Sequence, residues 1–526
     1  MQTGTIGPER DASRSAGSAA PGDKGLKANA IGYASNVVIG VASTAPGYSL
    51  AATLGFIVAV PGVGLQSPAV LLVAFVPMLC IAFGYRYMNR ADPDCGTTFA
   101  WVTRGLGPHL GWLSGWAIVA ADIIVMASLA QIAGIYTFLL FGWQSAADTA
   151  LAVTLVGCVW IVVMTWICVI GIELNAKTQR WLLTAEVLTL AAFAVVALVK
   201  VYVDSPAGSI DPSLSWINPF AISSWGALLD GVLLGIFIYW GWDSGVAVNE
   251  ESEDSANGPG RAAIVSTLLL VLIYVVVSFA AQAYGGTKTL TDNQDDVLSA
   301  LGSQVFGSPW DKILIIAVLT SAAASTQTTI LPTARTALSM ARWGAIPSTF
   351  GRVSPKFSTP TVATIAMGAM SLVWFILVNQ LSTNVLGDSV SAIGFMIAFY
   401  YGLTGLACAV YYRRAITRSV KNFVAAGLLP LLGFAMLAVV FVKAYVDYGT
   451  KGYAEDFNYT KPFLGIEVPI VIGIGGLFLG AVLMLVARRA HPAFFRRSRE
   501  AAAPDALDDD GTPAAADDPV PVRAGA

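Results

Sequence analysis

The chain has 526 residues, of which 56% are hydrophobic and only 12% are charged, and its formal net charge is −3. This composition is too apolar for a soluble protein with an ordinary core. The apolar residues fall into blocks of about 20, the length that a helix needs to cross a bilayer. The sequence therefore predicts an all-α integral membrane protein that contacts the lipid bilayer.

The first 27 residues are polar and rich in Ala, Gly and Ser, and their pattern is not that of a signal peptide. We expect residues 1–27 to form a disordered cytoplasmic tail. Residues 491–526, which end in a stretch rich in Ala, Pro and Asp, are expected to form a second one. The membrane domain would then comprise residues 28–490.

Twelve apolar stretches predict twelve transmembrane helices, taken in chain order. They cover residues 31–59, 65–86, 107–141, 150–171, 179–203, 225–250, 262–284, 310–340, 359–379, 386–412, 422–446 and 464–487.

The positions of Lys and Arg predict the orientation of these helices, because cytoplasmic connections are enriched in both residue types. With the N-terminus inside, the outer connections receive no arginine. Their lysines are Lys200, Lys288, Lys312, Lys443, Lys451 and Lys461. We therefore expect a multi-pass protein of the cell membrane with both termini in the cytoplasm.

The first predicted helix contains the stretch GVASTAPGYSLAATLG, residues 40–55, with Pro46 and Gly47 near its centre. Proline removes a backbone donor and clashes with the preceding turn of a helix. Broken backbone in a membrane is tolerated where it lines a protein cavity. We therefore expect a break whose residues contact a bound substrate. They are Ser43, Thr44, Ala45, Pro46 and Gly47.

The sixth predicted helix is interrupted as well, at GIFIYWGWDSGVAVNEES, residues 235–252. Gly241 and Gly245 flank Asp243 within this apolar run. If the first ten helices form two repeats of five, helices 1 and 6 are equivalent, and paired breaks of this kind mark a transporter site. Freed N–H groups would hold a carboxylate and freed C=O groups an ammonium, so one break would suit an amino-acid zwitterion.

Several stretches of the chain resemble the amino acid–polyamine–organocation (APC) superfamily of permeases. They are CGTTFAWVTRGLGPHLGWLSGW (95–116), NAKTQRWLLTAEVLTL (175–190), FIYWGWDS (237–244) with NEESEDSANGPGRAAI (249–264), and LTSAAASTQTTILPTARTALSMARWGAIPSTFGRVSPKFSTPTVA (319–363). The last stretch, from the eighth helix and the loop after it, is the most specific. The likeness covers roughly residues 28–490. It implies a five-plus-five inverted repeat followed by two extra helices, and uptake or exchange of amino acids or related amines.

The resemblance also implies roles for residues at the sixth-helix break. Phe237, Ile238 and Trp240 stand where the family places residues that close over the substrate, and Gly241 belongs to the same break. Asp243 would act as a gate or a proton-responsive group. Alternatively, its carboxylate caps the second half of the helix.

Asp122 lies fifteen positions after Gly107, about 22 Å along helix 3 and well inside the bilayer. Its position matches the place where relatives touch the substrate side chain. An unpaired carboxylate is costly there, so we expect a substrate that is cationic or donates hydrogen bonds. Two alternatives are an ion pair with another helix and a protonated Asp122 that selects polar neutral substrates.

Three further residues are candidates for ion coupling. Several proton-coupled relatives carry a lysine seven residues after a glutamine of helix 5, and here Glu186 stands at that distance from Gln179. Thr320 and Ser321 match the hydroxyl pair that sodium-coupled relatives use. We expect proton coupling, with sodium coupling or exchange as the alternatives.

The remaining polar residues suggest no other chemistry. The acidic run Glu250, Glu251, Glu253 and Asp254 is expected to be a solvated surface, and the five cysteines to be buried apolar residues. We expect no metal, cofactor, nucleic-acid partner or enzymatic activity. A channel, which needs a continuous polar pore, and a non-transporting sensor are the other classes considered.

Overall fold

The computed structural model describes residues 24–294, 296–450 and 460–499. These residues contain twelve helices long and apolar enough to cross a membrane, which confirms the predicted number. In chain order they are α1 (Tyr33–Ala59), α2 (Ser67–Ala91), α3 (Pro108–Leu140), α4 (Ala150–Ile170), α5 (Ile172–Asp204), α6 (Trp225–Ala247), α7 (Gly258–Asp292), α8 (Asp311–Arg342), α9 (Thr361–Leu381), α10 (Val385–Tyr411), α11 (Val420–Tyr448) and α12 (Val468–Ala490).

The helices form a buried centre and a peripheral layer. Within an apolar stretch of 18 residues in each helix, 89% of the residues are buried in α1 but only 17% in α12. α1 therefore lies at the centre of the bundle and α12 at its edge. α3, α6, α8 and α10 are also mostly buried, and α8 packs along α3. The peripheral helices expose apolar side chains such as Leu155, Trp181 and Phe478, as helices that face lipid do.

The break in α1 separates α1a (Tyr33–Ser43) from α1b (Pro46–Ala59). Only Thr44 and Ala45 lie between the two halves. Ala45 adopts a left-handed conformation with φ 47° and ψ 68°, and Pro46 takes the first helical position, where its missing N–H costs nothing. The predicted interruption is confirmed, but Gly47 is helical and belongs to α1b.

The break in α6 separates α6a (Trp225–Tyr239) from the short α6b (Ser244–Ala247). Gly241 has φ +117°, and a Cβ atom on it would lie only 2.8 Å from the Ser43 carbonyl oxygen. The hydroxyl oxygens of Ser43 and Ser244 are 2.7 Å apart. Glycine at 241 therefore permits the close approach that brings the two breaks face to face.

The expected tails lie mostly on residues 1–23 and 500–526, outside the described residues. The described ends contact the helical bundle: Lys24 is buried, and so are Phe494 and Phe495 in a short helix after α12. We call the end of the bundle where α1 begins the N-terminal side. It includes Lys24 and the connections α2–α3 and α6–α7.

Candidate functional site

A small enclosed cavity lies where the two breaks meet α3, α8 and α10. Five of the residues predicted to bind substrate line it: Ser43, Asp122, Trp240, Gly241 and Asp243. Five other lining residues were missed by the sequence analysis: Ile118, Ser244, Thr329, Pro332 and Tyr400. The volume of about 10 Å³ is roughly that of one water molecule, so the structure is a closed form.

The missed residues carry weak sequence signals that a closer reading could have used. Pro332 lies inside an apolar helix, where proline disrupts backbone hydrogen bonding. Tyr400 and Tyr401 form an aromatic pair in α10, an unusual polar feature of that span. Neither signal by itself identifies which helix face lines the cavity.

Asp122 is buried in α3, and its carboxylate accepts a hydrogen bond from the Thr333 hydroxyl of α8. The residues that line the cavity include no Lys, Arg or His. Asp122 therefore has a hydroxyl donor but no lining cation beside it.

Asp243 is also buried, and two tyrosine hydroxyls donate to its carboxylate. Tyr401 donates to Oδ1 at 2.7 Å and Tyr85 to Oδ2 at 3.4 Å. The side chain makes no capping hydrogen bond to α6b, which removes the support for the capping alternative. Trp240 donates its indole N–H to the Tyr400 hydroxyl at the cavity wall.

The other residues predicted to bind substrate lie outside the cavity lining: Thr44, Ala45, Pro46, Gly47, Phe237 and Ile238. The Thr44 hydroxyl bonds back to the Val41 carbonyl at 2.6 Å. The Phe237 ring packs edge-on to Tyr48, and the Ile238 carbonyl accepts the Tyr274 hydroxyl.

Glu186 lies at the start of α1b and not in the cavity. Its Oε1 atom accepts the Gly47 amide at 2.7 Å and the Ser321 hydroxyl at 2.8 Å. The Tyr48 amide in turn donates to Ser321 Oγ at 3.2 Å. Glu186 and Ser321 thus accept hydrogen bonds from amides at the α1 break, where freed N–H groups were expected to hold a substrate carboxylate.

The second carboxylate oxygen of Glu186, Oε2, is buried and has no hydrogen-bond partner among the described residues. Thr320 does not join this cluster, because its hydroxyl donates to the Ile316 and Ala317 carbonyls of its own helix. The structure therefore brings together Glu186 and Ser321, but not Thr320.

On the N-terminal side, the acidic run after α6b is only partly a solvated surface, because Glu253 and Asp254 are exposed but Glu251 is not. Glu251 is completely buried and forms a bidentate ion pair with Arg335 of α8, with N–O distances of 2.6 and 2.8 Å. The Glu251 carbonyl also accepts the Ala30 and Ile31 amides. The expectation of solvent exposure is therefore wrong for Glu251, because its charge has a partner that the linear sequence does not show.

A second group of charges surrounds Lys24. Its Nζ atom lies 2.9 Å from Asp94 Oδ1, 2.5 Å from Glu250 Oε1 and 3.6 Å from Cys95 Sγ. The acceptor atoms of Asp94, Cys95 and Glu250 lie within 4.8 Å of one another, a spacing that could hold a metal ion, but the Lys24 ammonium lies among them. We call these four residues the Lys24 cluster.

The charge states in the Lys24 cluster follow from burial and pairing. Burial alone would raise the pKa of Asp94, but the Lys24 ammonium and the Ser339 hydroxyl lower it to about 2. Burial raises the pKa of Glu250 in spite of Lys24. Burial would lower the pKa of Lys24, but Asp94, Cys95 and Glu250 raise it well above its usual range. Asp94 and Lys24 are therefore a charged pair at neutral pH.

Comparison with known proteins gives a consistent result. The sequence pattern of the family described as amino acid permease matches residues 30–486. The cationic amino acid transporter 3, mitochondrial, of Arabidopsis thaliana is 26% identical over 345 residues, which is 62% of this chain and 54% of the relative. The serine/threonine exchanger of Bacillus subtilis (strain 168) is 22% identical over 61% of this chain and 70% of its own length.

The low-affinity putrescine importer of Escherichia coli (strain K12) is 21% identical over 72% of this chain and 80% of its own length. The chain spans about half the length of the plant transporter. The family pattern, in contrast, covers most of the chain and includes both breaks and all of α8. The chain therefore belongs to the amino acid permease family of the APC superfamily, a family of transporters and not of enzymes.

Proposed function

We propose that this protein is a secondary active transporter that moves amino acids or related amines across the cell membrane by alternating access. The observation that carries the proposal is the cavity between two broken helices, which is lined by two buried carboxylates. Discontinuous helices at the bilayer midplane are the usual substrate site of transporters with this architecture. The names of the relatives include cationic amino acids, serine, threonine and putrescine, all small amines.

The closed cavity favours a transporter over a channel. A channel needs a continuous polar path, whereas this cavity has room for about one water molecule. Toward the N-terminal side lie two layers of charge, the Arg335–Glu251 pair and the Lys24 cluster. Opening a path on this side would separate the groups of both layers, as an alternating gate must do.

Glu186 supports coupling to protons. A buried carboxylate in a membrane is costly in its charged form. The Oε1 atom already accepts hydrogen bonds from the Gly47 amide and the Ser321 hydroxyl. The Oε2 atom has no hydrogen-bond partner among the described residues and could carry the proton. Sodium is the second candidate ion, but Oε1 faces an N–H donor that cannot contact a cation, and Thr320 does not supply the expected second hydroxyl.

The orientation and the repeat are part of the proposal. The proposed outer connections contain no arginine. Because cytoplasmic connections are enriched in arginine and lysine, this supports a cytoplasmic location for both the N-terminal side and the C-terminus. The matching breaks in α1 and α6 support a relationship between α1–α5 and α6–α10 as inverted repeats.

The experiment is counterflow in proteoliposomes. The full chain is reconstituted, loaded with one unlabelled compound, and tested for accumulation of the same labelled compound across the amino acids and the aliphatic amines. We expect saturable accumulation of at least one compound. Empty liposomes are the control, and the absence of counterflow for every compound would contradict the proposal.

A further inference from the structure

We infer that the segment after α12, residues 491–497, helps to keep the N-terminal side of the protein closed. Arg497 and Phe494 are its positioning residues. They act on Trp343, which in turn binds Asp94 of the Lys24 cluster. The inference rests on the proposed alternating gate and adds a second element that restrains it, which we call the C-terminal segment.

The C-terminal segment packs against the helical bundle. Its two phenylalanines, Phe494 and Phe495, are only 1% and 8% exposed. The Phe494 ring stacks on Phe99 in the α2–α3 connection, with 5.8 Å between the ring centroids and 23° between the planes. The Phe495 ring lies 5.2 Å from the His109 ring near the start of α3. Because burial of large apolar side chains is favourable, the docked position of the segment is preferred over a free tail.

The C-terminal segment contacts the end of α8 through Arg497. The Arg497 guanidinium lies 4.9 Å from the centroid of the Trp343 ring, and its Nη2 atom donates to the Trp343 carbonyl at 3.0 Å. The guanidinium is also 5.8 Å from the centroid of the Phe494 ring. A second cation, Arg104, lies 5.1 Å from the Trp343 centroid. Cation–π contacts of this kind fix the orientation of the Trp343 indole.

The Trp343 indole binds the acceptor at the centre of the Lys24 cluster. Its N–H donates to Asp94 Oδ2 at 2.9 Å. The other oxygen, Oδ1, accepts the Ser339 hydroxyl at 2.6 Å and lies 2.9 Å from Lys24 Nζ. A buried carboxylate that loses a donor is destabilised. Without the indole N–H, Asp94 would therefore lose a partner and part of the constraint that aims it at Lys24.

This series of contacts lies away from the substrate cavity. Trp343 is about 16 Å beyond the cavity residue Pro332 along the axis of α8. We therefore expect the C-terminal segment to change how often the N-terminal side opens, and not the affinity of the cavity for its substrate. A purely structural role would instead lower the thermal stability without any change in opening.

The rate at which a maleimide labels Cys95 measures this opening, because Cys95 is completely buried in the Lys24 cluster. The full chain, with Cys95 as its only cysteine, is placed in lipid nanodiscs, which leave both sides accessible. Arg497→Gln and Phe494→Ala should each speed labelling about threefold or more, since each removes a contact of the segment. Arg496→Gln, at the exposed neighbouring arginine, is the matched control and should label at the wild-type rate.

A further variant tests the route through the indole. Trp343→Phe keeps an aromatic ring beside Arg497 but removes the N–H that donates to Asp94. It should also speed labelling about threefold or more. In the double variant that combines Trp343→Phe with Arg497→Gln, labelling should be no faster than in the faster of the two single variants. Two changes that act through one hydrogen bond are not additive.

Two results would overturn the inference. The first is labelling of Cys95 at the wild-type rate in both Arg497→Gln and Phe494→Ala, even if thermal unfolding shows that these proteins are less stable. The second is multiplication of the effects of Trp343→Phe and Arg497→Gln in the double variant, which would mean that Arg497 does not act through the indole.

The labelling experiment needs no substrate, so its outcome is independent of counterflow. The absence of counterflow for every compound would overturn the transport function and leave the labelling result standing. Where counterflow is found, the substrate concentration at half-maximal rate should be the same in Arg497→Gln and in wild type. A tenfold change in that concentration would mean that the C-terminal segment acts on the cavity, which would contradict the inference.

Discussion

Arg335 and Glu251 form a bidentate ion pair in which both side chains are almost fully removed from solvent. The Arg335 Nε and Nη2 atoms donate to the two Glu251 carboxylate oxygens at 2.6 and 2.8 Å. Arg335 is a single turn beyond the cavity residue Pro332 on α8, and the Glu251 carbonyl accepts amides from the chain before α1. The pair therefore connects α8, the end of α6 and the entry to α1 directly beneath the cavity.

Arg335→Met should lower the free energy of unfolding by about 3–5 kcal/mol, because it leaves the Glu251 charge buried and unpaired. Thermal unfolding in detergent measures the loss. Adding Glu251→Leu to the same protein should recover part of the stability, since the double variant contains no uncompensated charge at this position. Arg414→Met removes an exposed arginine and serves as the control. An Arg335→Met protein as stable as this control would refute the role given to the pair.

Lys24→Ala should expose Cys95. The Cys95 side chain is completely buried beside Lys24, and burial raises its pKa, so its thiol should react slowly in the closed form. Without the ammonium, Asp94 and Glu250 repel each other and the N-terminal side opens more often. We expect faster labelling of Cys95 by a membrane-impermeant maleimide, in a background that lacks Cys80, Cys158, Cys168 and Cys408.

The control for this experiment is Lys27→Ala, which removes an exposed ion pair to Glu173. Surface pairs of this kind contribute little to stability, so labelling should stay at the wild-type rate. Equal labelling of Cys95 in both lysine variants would mean that the Lys24 cluster does not hold this side closed.

The contribution of Asp94 to stability should not depend on pH near neutrality. Its pKa of about 2 lies below the ordinary value of 3.8. A carboxyl group whose pKa is lowered by folding stabilises the protein above its unfolded-state pKa and loses this effect as the pH falls through the folded-state pKa. The stability difference between wild type and Asp94→Asn should therefore be constant from about pH 6 to 8 and shrink only toward pH 2.

The Asp94 charge also raises the pKa of Glu250, so the comparison is made with Glu250→Gln in both proteins to remove that titration. Chemical unfolding at several pH values provides the measurement, with Asp148→Asn as the exposed control. A change of more than about 1.4 kcal/mol between pH 6 and 8, equivalent to one pKa unit, would contradict a permanently charged Asp94.

Glu186→Gln should abolish the acceleration of uptake by an inward proton gradient while exchange of substrate for substrate persists. Glutamine can still accept the Gly47 amide that Oε1 accepts now, so the break should remain folded. It cannot bind and release a proton. Uptake with imposed gradients of pH and of sodium measures the effect, with Glu173→Gln at an exposed position as the control. Uptake that follows sodium and ignores pH in wild type would reject proton coupling.

The sequence by itself determined the membrane fold, the number of spans and the existence of both breaks. These features depend on local chemistry: the length of an apolar stretch relative to the bilayer and the inability of Pro46 to continue a helix. Asp243 was identified because an acidic residue beside a break stands out in an apolar span. Asp122 was identified by its depth in an apolar span together with the resemblance to the permease family, and Trp240 by that resemblance.

Only the tertiary structure decided which groups meet at those breaks. Glu186 reaches the Gly47 amide 139 residues away, and Arg335 reaches Glu251 across 84 residues. Such contacts depend on how each helix is rotated about its axis, since successive residues turn by about 100°. The buried helices α3, α6 and α10 are largely apolar, and the five consecutive polar residues 325–329 of α8 lie on all sides of that helix. The sequences therefore do not indicate which face of each helix turns toward the site.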